Sequence, residues 1–548
     1  MAHALAGKPV QEQDIIDVQT IVDAYFDNVP DMTNPTQLVS FGTSGHRGTS
    51  VDGTFTDLNV AAITQAICDG RKQFGATGPI FVGQDTHALS QPALVTVLEV
   101  LAGNGVTAMV DCDMAFVPTP SVSRAIIRYN EEHDDKADGI IITPSHNPPD
   151  NGGIKYNTII GGPADTVVTK WIEMRANEYL TAYCESEDFK RISIDNIEPS
   201  AQVPYDYKGL YVEELGDVIN MEAIKAAGPK VLVDTLGGSG ASYWNAIKER
   251  YGLDLTIIHD DYDPTFSFMT YDHDGKVRMD CSSTYVMASV INRIGDFDLA
   301  VGNDPDYDRY GIVVSSGLIS ANTFLTLAAR YLFTTRGWKN KGVGKTVVCT
   351  TMIDKWAADA ETPVFEVPVG FKYFSQLLFD GAIGIGGEES AGASFLKKDG
   401  TVWTTDKDGM IMALLSMEIM AVMGKSALKM ADEFVEEFGN PSFGRIDAPC
   451  KKEQKQILKQ MSAELITATT VDGDPITNIR TTSLYNDMPI DGVRVETDKG
   501  WFVARPSGTE DLYKIYGESY KGDLGLVALL TAGEEIVNAA LNGTIETE

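Results

Sequence analysis

Residues 138–157 read Asp138-Gly-Ile-Ile-Ile-Thr-Pro-Ser145-His-Asn-Pro-Pro-Asp-Asn-Gly-Gly-Ile-Lys155-Tyr-Asn157. An apolar run that enters a loop rich in proline and glycine is typical of a buried strand that presents functional groups at its end. Because prolines restrict the backbone on both sides of Ser145, we expect a rigid and exposed loop. A serine held in this way can act as a nucleophile or carry a covalent group, with His146 and Lys155 as proton-transfer or charge partners. Taken alone, these residues also fit a surface turn with a capping serine.

Strand-like and helix-like segments alternate along the rest of the chain. The pattern predicts strands at 80–84, 106–110, 230–234, 255–259, 297–301, 346–350 and 382–386, and helices at 91–104, 122–129, 321–331, 410–423 and 454–466. A polar connection at 180–206 separates two of these runs. Such alternation predicts the α/β class, with mostly parallel sheets, helices on both faces, and functional loops at the carboxyl ends of strands.

The size and composition limit the function classes. A chain of 548 residues with 43% hydrophobic residues is expected to form three or four domains with real cores. The formal net charge of −34 argues against nucleic acid or an anionic membrane as a partner. We expect no membrane span, because the richest apolar window, 410–423, is short and contains Glu418. The six cysteines show no Cys-x-x-Cys spacing, which indicates core thiols in a reducing compartment, the cytoplasm.

A second polar loop follows the strand predicted at 297–301 and reads Gly302-Asn-Asp304-Pro-Asp306-Tyr-Asp308-Arg309. Three carboxylates at alternate positions can converge on one hard cation, and ligation by oxygen alone favours magnesium or calcium over zinc. An EF-hand is excluded, because Arg309 and Ser315 occupy the positions of its glycine and its final glutamate. The alternative is a solvated acidic turn. The arginine directly after the carboxylates suggests that an anion meets the metal.

Two further loops have the composition of anion-binding sites. Phe41-Gly-Thr-Ser-Gly-His-Arg47-Gly48 gathers glycines, hydroxyls and an arginine, although a plain glycine turn fits it as well. Arg505-Pro-Ser507-Gly508-Thr509, with Lys514 beyond it, combines a guanidinium, two hydroxyls and a flexible glycine, as a phosphate clamp requires. The alternative for this second loop is a hairpin turn.

A sugar-binding loop is indicated at Gly387-Glu388-Glu389-Ser390, which follows a glycine-rich strand, together with the segment Gly370-Phe-Lys372. Paired carboxylates can bind vicinal hydroxyls, or they can belong to the first turn of a helix.

Two nucleotide-binding motifs are excluded by their residue spacing. Leu236-Gly-Gly-Ser-Gly240 does not have the Gly-x-Gly-x-x-Gly spacing of a dinucleotide loop. Gly344-Lys345-Thr346 lacks the earlier glycine of a P-loop and precedes a strand.

Four of these motifs occur together and in one order: Thr143-Pro-Ser-His-Asn-Pro, Asp304-Pro-Asp-Tyr-Asp-Arg, Gly387-Glu-Glu-Ser and Arg505-Pro-Ser-Gly-Thr. In this the chain resembles the α-D-phosphohexomutases over nearly its full length, and within them the bacterial, glucose-type phosphoglucomutases. The resemblance implies four domains around a central cleft, three related αβ domains with mixed sheets and a smaller C-terminal α+β domain. The corresponding boundaries are 1–205 (phosphoserine loop), 206–320 (metal loop), 321–440 (sugar loop) and 441–548 (phosphate loop).

The resemblance also implies an intramolecular phosphotransferase that interconverts glucose 1-phosphate and glucose 6-phosphate through a phosphoserine and glucose 1,6-bisphosphate. It makes Ser145 the phosphoserine, which binds Mg²⁺ together with Asp304, Asp306 and Asp308. Arg47 assists catalysis, and Lys155 or His146 transfers the proton. The implied substrate-binding residues are Arg309, Gly370, Lys372, Glu388, Ser390, Arg505, Ser507, Gly508, Thr509 and Lys514.

Two positions depart from the wider family. Val369 stands where some relatives have a sugar-contacting threonine, and His87 stands where many have an arginine. The second difference is expected to be structural.

A phosphomannomutase or another phosphohexomutase is the alternative activity. A metal-dependent sugar phosphatase and a non-catalytic sugar-phosphate-binding protein are weaker alternatives. The expected partner is a small sugar phosphate, and the expected assembly is a monomer or a homodimer.

Overall fold

The computed structural model describes residues 3–42, 44–183, 189–425, 427–506 and 512–545. The chain divides into two compact units. The first unit contains Met1–Ala321, Phe374–Gly381 and Ser390–Leu428. The second unit contains Asn322–Tyr373, Ala382–Glu389 and Lys429–Glu548.

The α-helices in chain order are α1 (Val18–Asp27), α2 (Asp57–Gly70), α3 (Ser90–Gly103), α4 (Thr119–Glu132), α5 (Thr166–Tyr183), α6 (Tyr207–Val218), α7 (Met221–Ala227), α8 (Ala241–Tyr251), α9 (Ala288–Ile291), α10 (Ala321–Arg336), α11 (Met352–Asp359), α12 (Lys372–Phe379), α13 (Gly409–Met423), α14 (Ala427–Phe438), α15 (Lys452–Lys459) and α16 (Gly522–Ile545). Short 3₁₀ turns lie at Glu12–Asp14, Ile194–Asn196, Pro199–Ala201, Ile294–Asp296 and Ala463–Leu465.

The strands are β1 (His46–Thr49), β2 (Ile80–Gln84), β3 (Ala108–Asp111), β4 (Asp138–Ile142), β5 (Asn151–Asn157), β6 (Gln202–Tyr205), β7 (Val231–Asp234), β8 (Leu255–Ile258), β9 (Leu299–Gly302), β10 (Gly311–Val314), β11 (Gly317–Leu318), β12 (Gly342–Thr346), β13 (Val364–Val367), β14 (Ile383–Gly387), β15 (Ala393–Phe395), β16 (Ser442–Pro449), β17 (Thr470–Val471), β18 (Asp474–Thr482), β19 (Pro489–Thr497), β20 (Gly500–Pro506) and β21 (Leu512–Ser519).

The first sheet of the first unit has the order β1-β5-β4-β2-β3-β6 and is mixed. Strands β4, β2, β3 and β6 are parallel, whereas β5 runs antiparallel to both β4 and β1. Successive residues of a strand point to opposite faces. Val82 and Ile140 accordingly join the core beneath α2, α3 and α5, while Phe81 and Ile141 join a separate core with residues of α4 and α6. Helices therefore cover both faces, as the sequence predicted.

The second sheet of the first unit repeats this plan with the order β11-β10-β9-β7-β8. Strand β7 pairs in parallel with β8 and β9, and β10 returns antiparallel to β9. Leu232 and Ala300 of the central strands pack on Phe266 and Met279 from the long connection after β8. The loop between β9 and β10 contains the three aspartates identified in the sequence.

In the second unit, β12 pairs in parallel with β13 and β14. The C-terminal sheet has the order β16-β21-β20-β19-β18-β17, and its pairs are antiparallel. Among the described residues, one unbroken helix, the Gly522–Asn542 part of α16, is long and apolar enough to cross a membrane. The expectation that no apolar window reaches the length of a span was therefore wrong. Val537 and Leu541 of α16 lie fully buried in the core of the C-terminal sheet.

Three local predictions were wrong. The strand expected at 346–350 is β12, which ends at Thr346; the chain then turns, with Cys349 N donating to Thr346 O at 3.0 Å. Glycines hide β12 in the sequence, yet Gly342 is required there, because a side chain would collide with the Phe365 ring. The helix expected at 454–466 is the shorter α15. Cys112 is exposed and is not a core thiol.

Candidate active site

Ser145 lies in the loop that joins β4 to the antiparallel strand β5, and only 1% of its surface is exposed. The expectation of an exposed loop was therefore wrong. Ser145 has a backbone φ of +60°, which is unusual for a residue with a side chain. Its N–H donates to Thr143 Oγ1 at 2.7 Å, and its Oγ donates to Asp304 Oδ2 at 2.7 Å. These bonds orient the serine hydroxyl towards the aspartate loop, which also covers it.

Asp304, Asp306 and Asp308 form a buried carboxylate cluster in the loop between β9 and β10. One oxygen from each carboxylate lies within 4.8 Å of the others. Asp306 Oδ1 and Asp308 Oδ1 are buried and have no hydrogen-bond partner in the part of the chain that the structure describes. Unpaired oxygen atoms at this spacing fit a hard divalent cation, so the buried cluster fits a cation site and not a solvated turn.

Two lysines neutralise this cluster. Lys155 Nζ, on β5, lies 2.6 Å from Asp306 Oδ2 and 3.1 Å from Asp308 Oδ2. Lys407 Nζ lies 2.8 Å from Asp308 Oδ2. Lys407 was missed in the sequence, because the run Thr-Thr-Asp-Lys-Asp before α13 resembles a solvated helix start. The one available signal was that a strongly apolar helix, α13, follows it directly.

Within this cluster the pKa of Asp304 is raised and the pKa of Asp308 is lowered. Burial, followed by the negative charges of Asp306 and Asp308, raises the pKa of Asp304 well above its usual range. Burial alone would also raise the pKa of Asp308, but Lys155 and Lys407 hold it well below its usual range. Burial disfavours the charge of Lys155, yet Asp306 and Asp308 outweigh it and raise the pKa of this lysine. Lys155 is therefore protonated at neutral pH.

His146 differs from Lys155 in its charge. Its Nδ1 lies 3.4 Å from Ser145 Oγ, and its Nε2 lies 4.0 Å from Asp280 Oδ2. Burial and then the positive charge of Arg309 lower the pKa of His146 well below its usual range, so the ring is uncharged at neutral pH. Arg309 Nη1 itself lies 3.3 Å from Asp280 Oδ2. His146 can thus accept a proton next to the serine hydroxyl.

Arg47 belongs to β1, whose antiparallel pairing with β5 places Arg47 opposite Gly153. Its guanidinium donates from Nη1 to Asn147 Oδ1 at 3.2 Å and from Nη2 to Ser44 Oγ at 3.3 Å. The carboxylates of the aspartate loop are near enough to act on the pKa of Arg47, although burial dominates and lowers it. Arg47, from the loop identified at 41–48, therefore contacts Asn147 of the Ser145 loop.

The other expected site residues belong to other segments of the chain, and some of them lie outside its described part. In the second unit, Gly370 N donates to Glu388 Oε1 at 3.1 Å, and Lys372 begins α12. Strand β14 ends at Gly387 in a turn, so Glu388 does not start a helix. Arg505 and Lys514 are direct neighbours across β20 and β21. Ser390 belongs to the first unit, and Ser507, Gly508 and Thr509 lie outside the described residues.

Sequence comparison identifies the family. Models of the phosphoglucomutase/phosphomannomutase family match the chain at residues 38–182 (alpha/beta/alpha domain I), 210–317 (domain II), 320–438 (domain III) and 447–524 (C-terminal domain). The expected four-domain α/β class is thereby confirmed.

Individual relatives agree over nearly the whole length. A phosphoglucomutase from Komagataeibacter xylinus is 46% identical over 539 residues, which are 97% of each chain. Phosphoglucomutase 1 of Saccharomyces cerevisiae is 26% identical over 85% of each chain. Among solved structures, the Paramecium phosphoprotein pp63/parafusin superposes with a TM-score of 0.72 at 20% identity, covering 94% of this chain and 96% of its own. The chain belongs to the phosphoglucomutase/phosphomannomutase family.

Proposed function

We propose that the chain interconverts glucose 1-phosphate and glucose 6-phosphate, with Ser145 as the carrier of the phosphoryl group. The observation that supports this most directly is the 2.7 Å hydrogen bond from Ser145 Oγ to Asp304 inside a buried cluster of carboxylates and lysines. A hydroxyl in a surface turn needs no such surroundings. The full-length similarity to a protein named phosphoglucomutase supports glucose as the sugar.

Asp304, Asp306 and Asp308 would hold a magnesium ion, together with the phosphate on Ser145. The ion would supply positive charge that neutralises the phosphoryl oxygens during transfer. Arg47 and Arg309 are partly buried and interact electrostatically with the aspartates of this cluster, so they add fixed positive charge. Because phosphoryl transfer depends mainly on position and charge, this set is sufficient for it.

In the proposed cycle, phospho-Ser145 transfers its phosphoryl group to the free hydroxyl of the bound sugar phosphate. The serine oxygen–phosphorus bond breaks, the sugar oxygen–phosphorus bond forms, and the sugar hydroxyl loses its proton. The product, glucose 1,6-bisphosphate, reorients in the site and returns its other phosphoryl group to Ser145. His146, uncharged beside Ser145 Oγ, can accept a proton, and protonated Lys155 can donate one.

The second unit would supply the contacts to the sugar and to the phosphate that does not react. Gly370, Lys372, Glu388 and Ser390 are the residues proposed to bind the sugar hydroxyls. Arg505 and Lys514, paired across β20 and β21, would bind the remote phosphate, with Ser507, Gly508 and Thr509. Arg505 Nε is buried and has no hydrogen-bond partner among the described residues, which leaves it able to donate to an anion. We further propose a cytoplasmic monomer or homodimer with the domain limits 1–205, 206–320, 321–440 and 441–548.

The test is ³¹P NMR of the protein with glucose 1-phosphate, Mg²⁺ and a trace of glucose 1,6-bisphosphate. Conversion to glucose 6-phosphate without free phosphate supports the proposal. Accumulation of inorganic phosphate would favour the phosphatase instead. No reaction by a folded protein would favour a binding protein, and faster turnover of mannose 1-phosphate in a parallel sample would favour a phosphomannomutase.

A further inference from the structure

A buried polar network lies beneath the Ser145 loop and is not used by the proposed chemistry. Asp85 directly follows β2, and because β2 pairs in parallel with β4, it lies next to the start of the serine loop. Asp85 N donates to Ile142 O at 3.0 Å. The Asp85 carboxylate accepts hydrogen bonds from Thr143 Oγ1 at 2.6 Å and from Ser90 Oγ at 2.5 Å. Asp85 therefore fixes the side of the loop that precedes Ser145.

His87 connects the same carboxylate to the other side of the loop. Its Nδ1 lies 2.8 Å from Asp85 Oδ2, and its Nε2 lies 3.0 Å from the carbonyl oxygen of Asn147. Thr143 and Asn147 flank Ser145 at two residues on either side. The left-handed backbone of Ser145 is unfavourable for a serine, so its surroundings must hold it in place.

The two acceptors determine the protonation state of His87. A carboxylate oxygen and a peptide carbonyl oxygen only accept hydrogen bonds, and a neutral imidazole has one N–H to donate. His87 is 1% exposed, so water does not replace a missing donor. Only the doubly protonated ring satisfies both contacts, because a neutral ring would leave one buried acceptor without a donor.

We infer that His87 is a buried imidazolium that, together with Asp85, positions the Ser145 loop for phosphoryl transfer. It acts through the Asn147 carbonyl and is a positioning residue. The inference rests on the proposed role of Ser145.

The charges around His87 support this assignment. Asp85 faces the ring from its own loop, Asp306 contributes a more distant negative charge from the aspartate loop, and the Phe266 ring packs on it with a centroid distance of 5.0 Å. Tyr262 is the further titratable group near Asp85. Burial disfavours the charge, but Asp85 outweighs it and the pKa of His87 is raised. The imidazolium is therefore retained to a higher pH than in a free histidine and is lost as the pH rises through this higher pKa.

The first test is ¹⁵N NMR of full-length protein labelled at histidine, with the His87→Gln variant used to assign the signal. We expect both His87 ring nitrogens to be protonated at pH 7. A neutral His87 ring in the folded protein would overturn the inference. This measurement does not depend on enzymatic activity, so it separates the inference from the proposed function.

The second test compares His87→Gln with His87→Asn. The glutamine amide reaches the place of Nε2 and keeps the bond to Asn147 O, whereas the asparagine amide replaces Nδ1 and keeps only the bond to Asp85. We expect kcat to fall by about 100-fold in His87→Asn and clearly less in His87→Gln, because misplacing a reacting group by about 1 Å has this effect. The KM for glucose 1-phosphate should change little in both.

Two controls accompany this comparison. Circular dichroism melts establish that both variants fold, and intact-mass spectrometry after incubation with glucose 1,6-bisphosphate measures how fast Ser145 is phosphorylated. Slower phosphorylation in His87→Asn than in His87→Gln supports positioning. Equal kcat in the two variants, at equal stability, would show that the bond to Asn147 has no such role. Absence of mutase activity in the wild-type protein would contradict the proposed function. The charge of His87 would still be tested by the NMR measurement.

Discussion

The serine loop and the aspartate loop connect their strands in the same way but present different functional groups. Residues 143–150 connect parallel strand β4 to antiparallel β5, and residues 303–310 connect parallel strand β9 to antiparallel β10. Each loop contains one residue with side chain in the left-handed region, Ser145 at φ +60° and Tyr307 at φ +63°. One loop presents a hydroxyl and the other presents carboxylates.

The difference lies in what holds each loop. Thr143 and His87 hold the serine loop through hydrogen bonds to the backbone at Ser145 and Asn147. Asp85 bonds the side chains of both, so the backbone geometry of this loop does not depend on an ion pair to the serine. The aspartate loop is instead balanced by Lys155 and Lys407 through direct ion pairs to the functional carboxylates. Changes at the serine loop should therefore alter turnover, and changes at the aspartate loop should also alter cation binding and pH dependence.

The largest expected effect follows from replacing the serine hydroxyl. Ser145→Ala removes the proposed phosphoryl carrier, so we expect turnover of glucose 1-phosphate to fall by at least about 10⁴-fold, as when a covalent nucleophile is removed. A coupled assay for glucose 6-phosphate measures this loss. Ser193→Ala, at an exposed site, is the control and should retain full activity. Substantial activity in Ser145→Ala would rule out the phosphoserine mechanism.

A large effect is also expected when the carboxylate cluster loses its cation or a ligand. Chelation should abolish activity, and added Mg²⁺ should restore it. In wild type, Mg²⁺ at about 100 times its Kd should stabilise the folded state by about 2.7 kcal/mol, because a ligand that binds only the folded state stabilises it. Asp306→Asn should lose most of this shift in a thermal melt. If Mg²⁺ raised the melting temperature of wild type and of Asp306→Asn equally, the cation would bind elsewhere.

Lys407 provides the next test, because it contacts the aspartate loop and not the serine. Lys407→Met removes the positive charge that lies 2.8 Å from Asp308, and we expect kcat to fall by about 10²-fold, in the range of other charge and proton-transfer residues. Without Lys407, less positive charge holds down the pKa of Asp308, so activity and cation binding should be lost at a higher pH on the acidic side.

The matched control is Lys398→Met, a lysine of the same unit that donates to the backbone carbonyl of Gly216. pH–rate profiles of both variants and wild type are compared. An acidic limb that does not move in Lys407→Met would show that this lysine does not control the charge of the cluster.

The sequence predicted the parts of the site that are local in the chain. Proline and glycine around Ser145 and the alternating aspartates from 304 to 308 were sufficient to locate both loops, since strand ends with such residues are typical functional positions. It could not predict that Ser145 is buried, because Asp304, which accepts its hydrogen bond, is 159 positions away. Lys407 was missed for the same reason, since only its contact with Asp308 distinguishes it from a lysine in a solvated turn.

The role of His87 was also beyond the sequence. His87 was expected to be structural, and nothing in Gly-Gln-Asp-Thr-His indicates that both ring nitrogens meet acceptors. Among the elements of the fold, the position of β12 was predicted wrongly because Gly342 is required by its packing against Phe365 of β13, which intrinsic strand propensity does not reflect. The four domain limits stay a prediction.

The smallest effect makes the sharpest comparison, because the same substitution is made beside each loop. Thr143 Oγ1 accepts from Ser145 N and donates to Asp85, while Thr119 Oγ1 donates to Asp306 Oδ2 at 2.8 Å. Both threonines are fully buried. Replacement by valine should destabilise each protein by about 1–3 kcal/mol, because each leaves buried polar groups without a partner.

The two variants should differ in function. Thr143→Val loosens the backbone of Ser145 and should lower kcat at saturating Mg²⁺. Thr119→Val frees a carboxylate that binds the cation, and it should weaken Mg²⁺ affinity by about 10-fold or more while excess Mg²⁺ restores kcat. Mg²⁺ titrations of activity and urea unfolding curves measure both quantities. If excess Mg²⁺ also restored the kcat of Thr143→Val, the two loops would not act separately. The cation would then correct the position of Ser145 although Thr143 does not contact the carboxylates that bind it.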